Sequence, residues 1–160
     1  MARTDLWNGE SQRAMPVWLP VAVAVLIVAR VVSSRYAVKS PVDLVRWVNI
    51  EAAERMSLTA KKPILYDFSA EWCGPCRVME EEIFRDSDMA TYINQHFIPV
   101  KVVDRMREDH GNPPEVEKLQ SRFGVTAFPT VIVVQREREP RKVLGYPGRE
   151  QFVQFLRGIR

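Results

Sequence analysis

The feature that most constrains this chain is an apolar run at 61–70, KKPILYDFSA, that leads directly to Cys73 and Cys76. The run has the length and the β-favouring composition of a buried strand, and the pattern from about Cys73 onward is helical. The sequence contains 2 cysteines in all, which is far too few for a disulfide-stapled scaffold. The pair is therefore predicted to have a chemical role and not a structural one, at the junction between a strand and a helix.

Strand and helix patterns alternate after residue 43 and predict an α/β sheet layered by helices. Strands are predicted at 44–48, 61–70, 97–103, 130–134 and 141–145. Helices are predicted at 50–60 behind an Asn49 cap, from about Cys73, at 85–97, at 112–124 behind an Asn112 cap, and at 149–159. In the helix after Cys73, Val78 is assigned to the apolar side and the three glutamates at 80–82 to a solvated face.

An uncharged apolar segment at 14–29, AMPVWLPVAVAVLIVA, predicts a membrane helix. At about 1.5 Å per residue it spans roughly 24 Å, and it approaches the ~30 Å hydrocarbon core when it is counted to Val32 with Arg30 snorkelling. A buried core helix and a cleaved signal peptide are the alternatives. The predicted organisation is a tail at 1–13, a transmembrane anchor at 14–32, a linker at 33–43 and a folded domain at 44–160.

The charges around the apolar segment bear on the side of the membrane that the domain occupies. Arg3 and Arg13 precede the segment, and the basic residues that follow it are Arg30, Arg35, Lys39 and Arg46. Lys/Arg counting alone places the domain in the cytoplasm, but a long following domain can translocate regardless of this bias. The orientation therefore stays open on charge alone.

The position of the cysteine pair predicts a reactive dithiol. A sulfur at a helix N-terminus meets unpaired backbone N–H groups and the positive end of the helix dipole, which favour the thiolate of Cys73. Cys76, one turn on, is close enough to attack a mixed disulfide and is predicted to be the resolving thiol. Half of a zinc site and two inert buried thiols are the alternatives. No second cysteine pair exists, and His96 and His110 lack zinc-finger spacing to this one.

The stretch DFSAEWCGPC around the cysteines resembles the active-site signature of the thioredoxin family, and the resemblance extends over about residues 45–158. It implies a thioredoxin-like fold, with a central mixed sheet flanked by helices. Lys101 and Asp104 match the family's central strand, and TAFPT at 126–130 matches the loop that carries a cis-proline. More narrowly, 61–104 is similar to the branch that includes periplasmic reductase domains.

The resemblance also implies roles for individual residues. Cys73, Cys76 and Asp67 would be catalytic, with Asp67 a buried general base for Cys76. The alternative for Asp67 is a buried carboxylate satisfied by Lys101, which is otherwise a supporting residue. The implied substrate-binding residues are Trp72, Gly74, Pro75, Phe128, Pro129 and Gly145. A cis bond before Pro129 would present the backbone of Phe128 to an extended substrate strand. Neither a metal nor a cofactor other than the Cys73–Cys76 disulfide is implied.

The function implied is a membrane-anchored thiol-disulfide oxidoreductase. Gly-Pro between the cysteines resembles the reducing members of the fold, so we expect reduction of protein disulfides through a Cys73 mixed disulfide resolved by Cys76. A redox assembly module of a membrane complex, with one client such as an apocytochrome or a metal-delivery protein, is the alternative. The implied partners are protein disulfides, an upstream electron donor, with a membrane reductase as one option, and the bilayer. A net charge of +3 without clustered Lys/Arg and aromatic residues argues against nucleic acid.

The similar reductase domains mostly face the periplasm, and we weigh this above the charge bias. The chain is therefore predicted to be a single-pass inner-membrane protein with a periplasmic catalytic domain, and the cytoplasmic face is the alternative. Three departures from the family pattern put the docking surface in doubt: Ser69 replaces a frequent tryptophan, Arg77 a frequent lysine, and the segment 105–115 is longer than usual. That segment is predicted to be either a solvated loop or a partner-docking lid.

Overall fold

The computed structural model describes residues 44–159 and, nearer the start of the chain, Trp18, 23–28 and Arg30. The chain divides into two units, Met1–Ser40 and Pro41–Arg160. In the first unit, the described residues are helical and exposed. Across the part of the chain that the structure describes, no helix has the length and apolarity that a membrane crossing requires. The predicted tail and linker, and most of the predicted anchor, lie outside the described residues.

Helices and strands alternate through the second unit. The helices are α1 (Ile50–Ala60), α2 (Gly74–Met79), α3 (Ser87–His96), α4 (Pro114–Phe123) and α5 (Arg149–Arg157). A π-helical turn, Glu80–Phe84, continues α2. The strands are β1 (Ile64–Ala70), β2 (Ile98–Asp104), β3 (Thr130–Val134) and β4 (Arg141–Leu144).

The strands form one mixed sheet in the order β2-β1-β3-β4. β1 pairs in parallel with β2 and antiparallel with β3, and β3 pairs antiparallel with β4. All of β1 is buried, as expected for an inner strand with helices on both faces of the sheet. The predicted central mixed sheet flanked by helices is confirmed.

Alternation along β1 separates two core clusters, because successive side chains of a strand point to opposite faces. Ile64, Tyr66 and Phe68 join the cluster beneath α1 and α4. Leu65 joins the cluster beneath α2, the π-helical turn, α3 and α5. Asp67 shares the parity of Leu65, so its carboxyl group lies on the face that α2 covers.

Local signals in the sequence explain where the helices begin and end. The Asn49 side chain accepts a hydrogen bond from the Ala52 N–H at 2.7 Å, and the Asp86 side chain accepts one from the Met89 N–H at 2.9 Å. Both side chains satisfy N–H groups that a first helical turn leaves unpaired. α4 ends at Gly124, whose φ of 58° suits a residue without Cβ.

The strand predicted at 44–48 is wrong, because this segment forms no ladder with the sheet. The Val48 N–H donates to the Pro99 carbonyl at 2.9 Å, but the Arg46 N–H donates to the Asn94 side chain at 2.8 Å. The Trp47 N–H donates to the Val45 carbonyl at 3.0 Å, so the segment also turns on itself where a strand would continue. Its buried Val45 still packs into the core.

Two further expectations about α2 and α4 are wrong. Val78 is 47% exposed, so it does not belong to the buried side of α2. Asn112 does not cap α4, which begins at Pro114 after Pro113. Instead, the Asn112 side chain accepts from the Arg105 N–H at 2.6 Å and donates to Asp104 at 2.7 Å. It therefore closes the loop between β2 and α4.

Candidate active site

Cys73 and Cys76 are joined by a disulfide at the start of α2. Cys73 is the N-cap of this helix, and its sulfur accepts a hydrogen bond from the Cys76 N–H at 3.2 Å. The Cys73 N–H donates to the Ala70 carbonyl at the end of β1, at 3.1 Å. A sulfur that takes the place of a capping oxygen is stabilised as a thiolate once the disulfide opens.

Both sulfurs are enclosed in this oxidised form. Cys73 is 2% exposed and Cys76 is 8% exposed, and Phe128 packs against both, together with Ala70. Exposure therefore does not separate an attacking from a resolving sulfur. Their surroundings differ, because Cys73 caps the helix whereas Cys76 lines a cavity behind it.

The predicted substrate-binding residues come together around the disulfide. The Phe128–Pro129 peptide bond is cis. Gly145, at φ 74°, donates its N–H to the Pro129 carbonyl at 2.8 Å. The rings of Trp72 and Phe128 meet edge to face at 6.0 Å, and Trp72 is 42% exposed. Gly74 and Pro75 form the first turn of α2, where Pro75 is exposed.

Asp67 lies buried in the sheet behind the disulfide. It is 1% exposed, and its Oδ1 has no hydrogen-bond partner among the described residues. Burial raises the pKa of Asp67 to about 7; Lys101 opposes the rise and Glu80 adds to it. A carboxyl group with this pKa exchanges a proton readily near neutral pH, as a general base requires.

The alternative in which Lys101 satisfies Asp67 is wrong. Lys101 stands directly opposite Asp67 in the β1–β2 register, yet its Nζ donates to Glu80 Oε2 at 2.7 Å. The predicted solvated face of glutamates is also wrong for Glu80, which is partly buried. Glu82 meanwhile accepts a hydrogen bond from Tyr146 at 2.6 Å.

Glu80 is the site residue that the sequence reasoning missed. It follows Cys76 by four positions, which places both residues on the same face of the helix. The spacing from Cys76 was therefore the available signal. The neighbouring Glu81 and Glu82 obscured it, because a run of glutamates is typical of an exposed surface.

A cavity of about 400 Å³ connects these groups. It is lined by Asp67, Ser69, Ala70, Glu71, Cys76, Arg77, Glu80, Arg85, Lys101, Val103 and Arg105. At about 30 Å³ per water molecule, the cavity has room for several waters, and Cys76 and Asp67 both line it. Ser69, at the position where the family resemblance implies a frequent tryptophan, is one of the lining residues.

The fold and the site define a class, the thiol-disulfide oxidoreductases of thioredoxin-like fold. Residues 50–160 match the family model described as Thioredoxin-like domain. The chain therefore belongs to the thioredoxin-like family, and the resemblance of its cysteine signature is confirmed.

Curated relatives include small thioredoxins and one much longer protein. Thioredoxin H2 of Arabidopsis thaliana is 37% identical over 86 residues, 54% of this chain and 55% of the plant protein. Thioredoxin of Alicyclobacillus acidocaldarius is 28% identical over 109 residues, 63% of this chain and 85% of that protein. Thiol:disulfide interchange protein DsbD of Vibrio vulnificus is 28% identical over 131 residues, 80% of this chain and 21% of DsbD.

Solved structures show the same fold. A DsbH oxidoreductase superposes with a TM-score of 0.62 at 22% identity, covering 72% of this chain and 86% of that one. The oxidised C-terminal domain of Neisseria meningitidis DsbD gives a TM-score of 0.53 at 21% identity. The superposition covers 71% of this chain and 99% of that domain. At these identities the likeness concerns the fold alone.

Proposed function

We propose that this protein reduces disulfide bonds in client proteins. One observation carries the proposal: Cys73 is the N-cap of α2, and Cys76 and Asp67 line the same cavity behind it. The N-cap favours a thiolate on the attacking sulfur, and the buried carboxyl group provides a proton acceptor for the second one. Gly74 and Pro75 between the cysteines resemble the reducing members of the family.

The proposed reaction transfers two electrons from the Cys73–Cys76 dithiol to the client disulfide. In the reduced protein, the Cys73 thiolate attacks a client disulfide, so a Cys73–client bond forms and one client sulfur leaves as a thiolate. Cys76 then gives its proton to Asp67, directly or through water, and attacks Cys73. The second client sulfur leaves and the Cys73–Cys76 disulfide forms. A dithiol donor protein restores the reduced state.

Insulin reduction by the full chain in detergent tests the proposal. With dithiothreitol as the electron source, we expect catalysed precipitation of the insulin B chain. In glutathione buffers we expect a reduction potential below about −200 mV, on the reducing side of the family. A potential near about −120 mV, without insulin turnover, would identify an oxidant and contradict the proposal.

A dedicated redox module is the second candidate, and the 105–112 segment favours it. Arg107 in this segment lies over the ring of Trp72 beside the disulfide, and a charged side chain at that place would favour some clients over others. Such a module would leave insulin nearly untouched. In native membranes, its Cys76→Ser variant would instead accumulate a mixed disulfide with one predominant protein.

We further propose that the apolar segment at 14–32 anchors the protein in the inner membrane with the catalytic domain in the periplasm. The support is the absence of charge over 14–29 and the resemblance to periplasmic reductase domains. A membrane-borne electron donor would suit such a tethered domain. Protease added to intact spheroplasts should digest the domain, whereas protection until lysis would place Cys73 in the cytoplasm.

A further inference from the structure

The segment 105–112 between β2 and α4 is held in place at both of its ends. Asp104, the last residue of β2, accepts hydrogen bonds from Asn112 at 2.7 Å and from Gln120 at 2.9 Å. The Arg105 N–H donates to the Asn112 side chain at 2.6 Å. These contacts fix where the loop leaves the sheet and where it returns to α4. The ends of the segment are therefore fixed on the domain, while Met106, Arg107, Asp109 and His110 between them are exposed.

Arg105 uses its charge within the structure. Its guanidinium lies 3.2 Å from Glu71 and also pairs with Asp109. Its single positive charge is therefore shared between two carboxylates and is not available to a client. The neighbouring Arg107 is followed by Glu108, and its charge acts on Asp104 at the end of β2.

Arg107 lies over the exposed ring beside the disulfide. Its guanidinium carbon is 3.7 Å from the centroid of Trp72, and Arg107 makes no ion pair with any carboxylate of the described residues. Trp72 in turn contacts Phe128, which packs against Cys73 and Cys76. Stacking uses the flat face of a guanidinium and leaves its N–H edge available to a carboxylate.

We propose that Arg107 is a specificity-determining residue that selects client segments with an aspartate or glutamate beside the disulfide cysteine. This inference rests on the proposed reduction of protein disulfides and names the chemistry of the preferred client. The occupant is an extended client segment whose cysteine reaches Cys73 while its acidic neighbour binds the N–H edge of Arg107. Trp72, exposed beneath the arginine, supplies apolar contact to the same segment.

The charges of the loop make this preference local. Arg105 and Arg107 are balanced within the loop by Glu108 and Asp109, so the loop has no net charge to attract acidic proteins from a distance. The preference should therefore depend on where the acid stands relative to the client cysteine. An acid far from the cysteine should have little effect, because exposed charges are screened beyond about 10 Å at 0.1 M salt.

The test uses the reduced full chain in detergent and three disulfide-linked peptide dimers that differ only in the residue next to cysteine: aspartate, asparagine or lysine. Each second-order rate constant is divided by that of dithiothreitol with the same peptide, because a charge beside a disulfide alters its reactivity toward any thiolate. At low salt we expect this relative rate for the aspartate peptide to exceed that for the lysine peptide by about fivefold, the range of a well-placed exposed ion pair. The ratio should shrink at high salt. Arg107→Gln should bring it close to one, and Arg107→Lys should retain part of it.

Arg136→Gln is the matched control, because Arg136 is an exposed arginine beside Lys61 and Lys62, at the end of β1 away from the cysteines. This variant should keep the full ratio. Equal relative rates for the three peptides with the unmodified protein, or a full ratio in Arg107→Gln, would overturn the inference while leaving disulfide reduction intact. Failure to reduce any of the peptides would instead remove the proposed function, and the inference with it.

Discussion

Replacing Cys73 with serine is expected to lower disulfide turnover by about a thousandfold or more, because a serine hydroxyl cannot form the mixed disulfide on which every later step depends. Replacing Cys76 with serine should stop turnover as well, but at a later stage. Cys73 can still attack in that variant, and nothing within the protein can then release the client. A stable adduct that migrates as one band without reductant, and as two with it, is the expected product.

The two serine variants control for each other, since both lose the Cys73–Cys76 disulfide and any stability that it provides. Their free energies of unfolding should be compared with that of the reduced wild-type protein. An adduct formed by Cys73→Ser and not by Cys76→Ser would reverse the assigned roles of the two sulfurs. Insulin turnover by either variant at the wild-type rate would exclude the mechanism.

Asp67→Asn is expected to raise the free energy of unfolding by about 3 to 4 kcal/mol at pH 8 and to change it little at pH 4. The folded protein holds the pKa of Asp67 at about 7, against an ordinary value of 3.8. Its stabilising contribution is therefore complete below about pH 4 and is lost as pH rises through 7. Asparagine carries no charge and avoids that loss. Urea unfolding of the oxidised protein at pH 4, 6 and 8 measures the difference.

The same substitution should slow release of the mixed disulfide near neutral pH by about 100-fold or more, because Cys76 loses its proton acceptor. Glu80→Gln gives a contrasting result. It removes a like charge and frees Lys101, so the pKa of Asp67 should fall and the pH midpoint of release should move lower. Glu81→Gln, which loses only a contact with Arg85, should leave the midpoint unchanged. An unchanged release rate in Asp67→Asn would make Asp67 a structural residue.

The elements around the cysteines could be predicted from the sequence because their signals are local. Asn49 and Asp86 cap their helices with their own side chains, and the apolar run that became β1 has the composition of a buried strand. The segment 44–48 could not be separated from a strand in the same way. Its residue types favour extended backbone, but whether that backbone joins a ladder depends on Asn94, which lies on a distant helix.

Site residues could be predicted where they form one sequence signature. They were missed where contacts between distant parts of the chain determine their positions. Cys73, Cys76 and Asp67 stand within one short stretch. Glu80 gains its position from Lys101 on β2, and Arg107 gains its position from the hydrogen bonds that close its loop. Neither contact can be recognised from the neighbouring residues in the sequence. Nothing local distinguishes Glu80 from Glu81, although the first is partly buried and the second is exposed.

The helical segment that begins at Cys73 is stabilised at its first end by a disulfide and at its far end by hydrogen bonds of carboxylates. The Cys73–Cys76 disulfide closes its first turn. At its far end, Glu80 accepts a hydrogen bond from Lys101 and Glu82 accepts one from Tyr146. Because no sulfur takes part in the carboxylate contacts, we expect them to persist when the disulfide opens. We therefore expect the backbone of this segment to keep the same conformation in both oxidation states, which differ by two electrons and two protons.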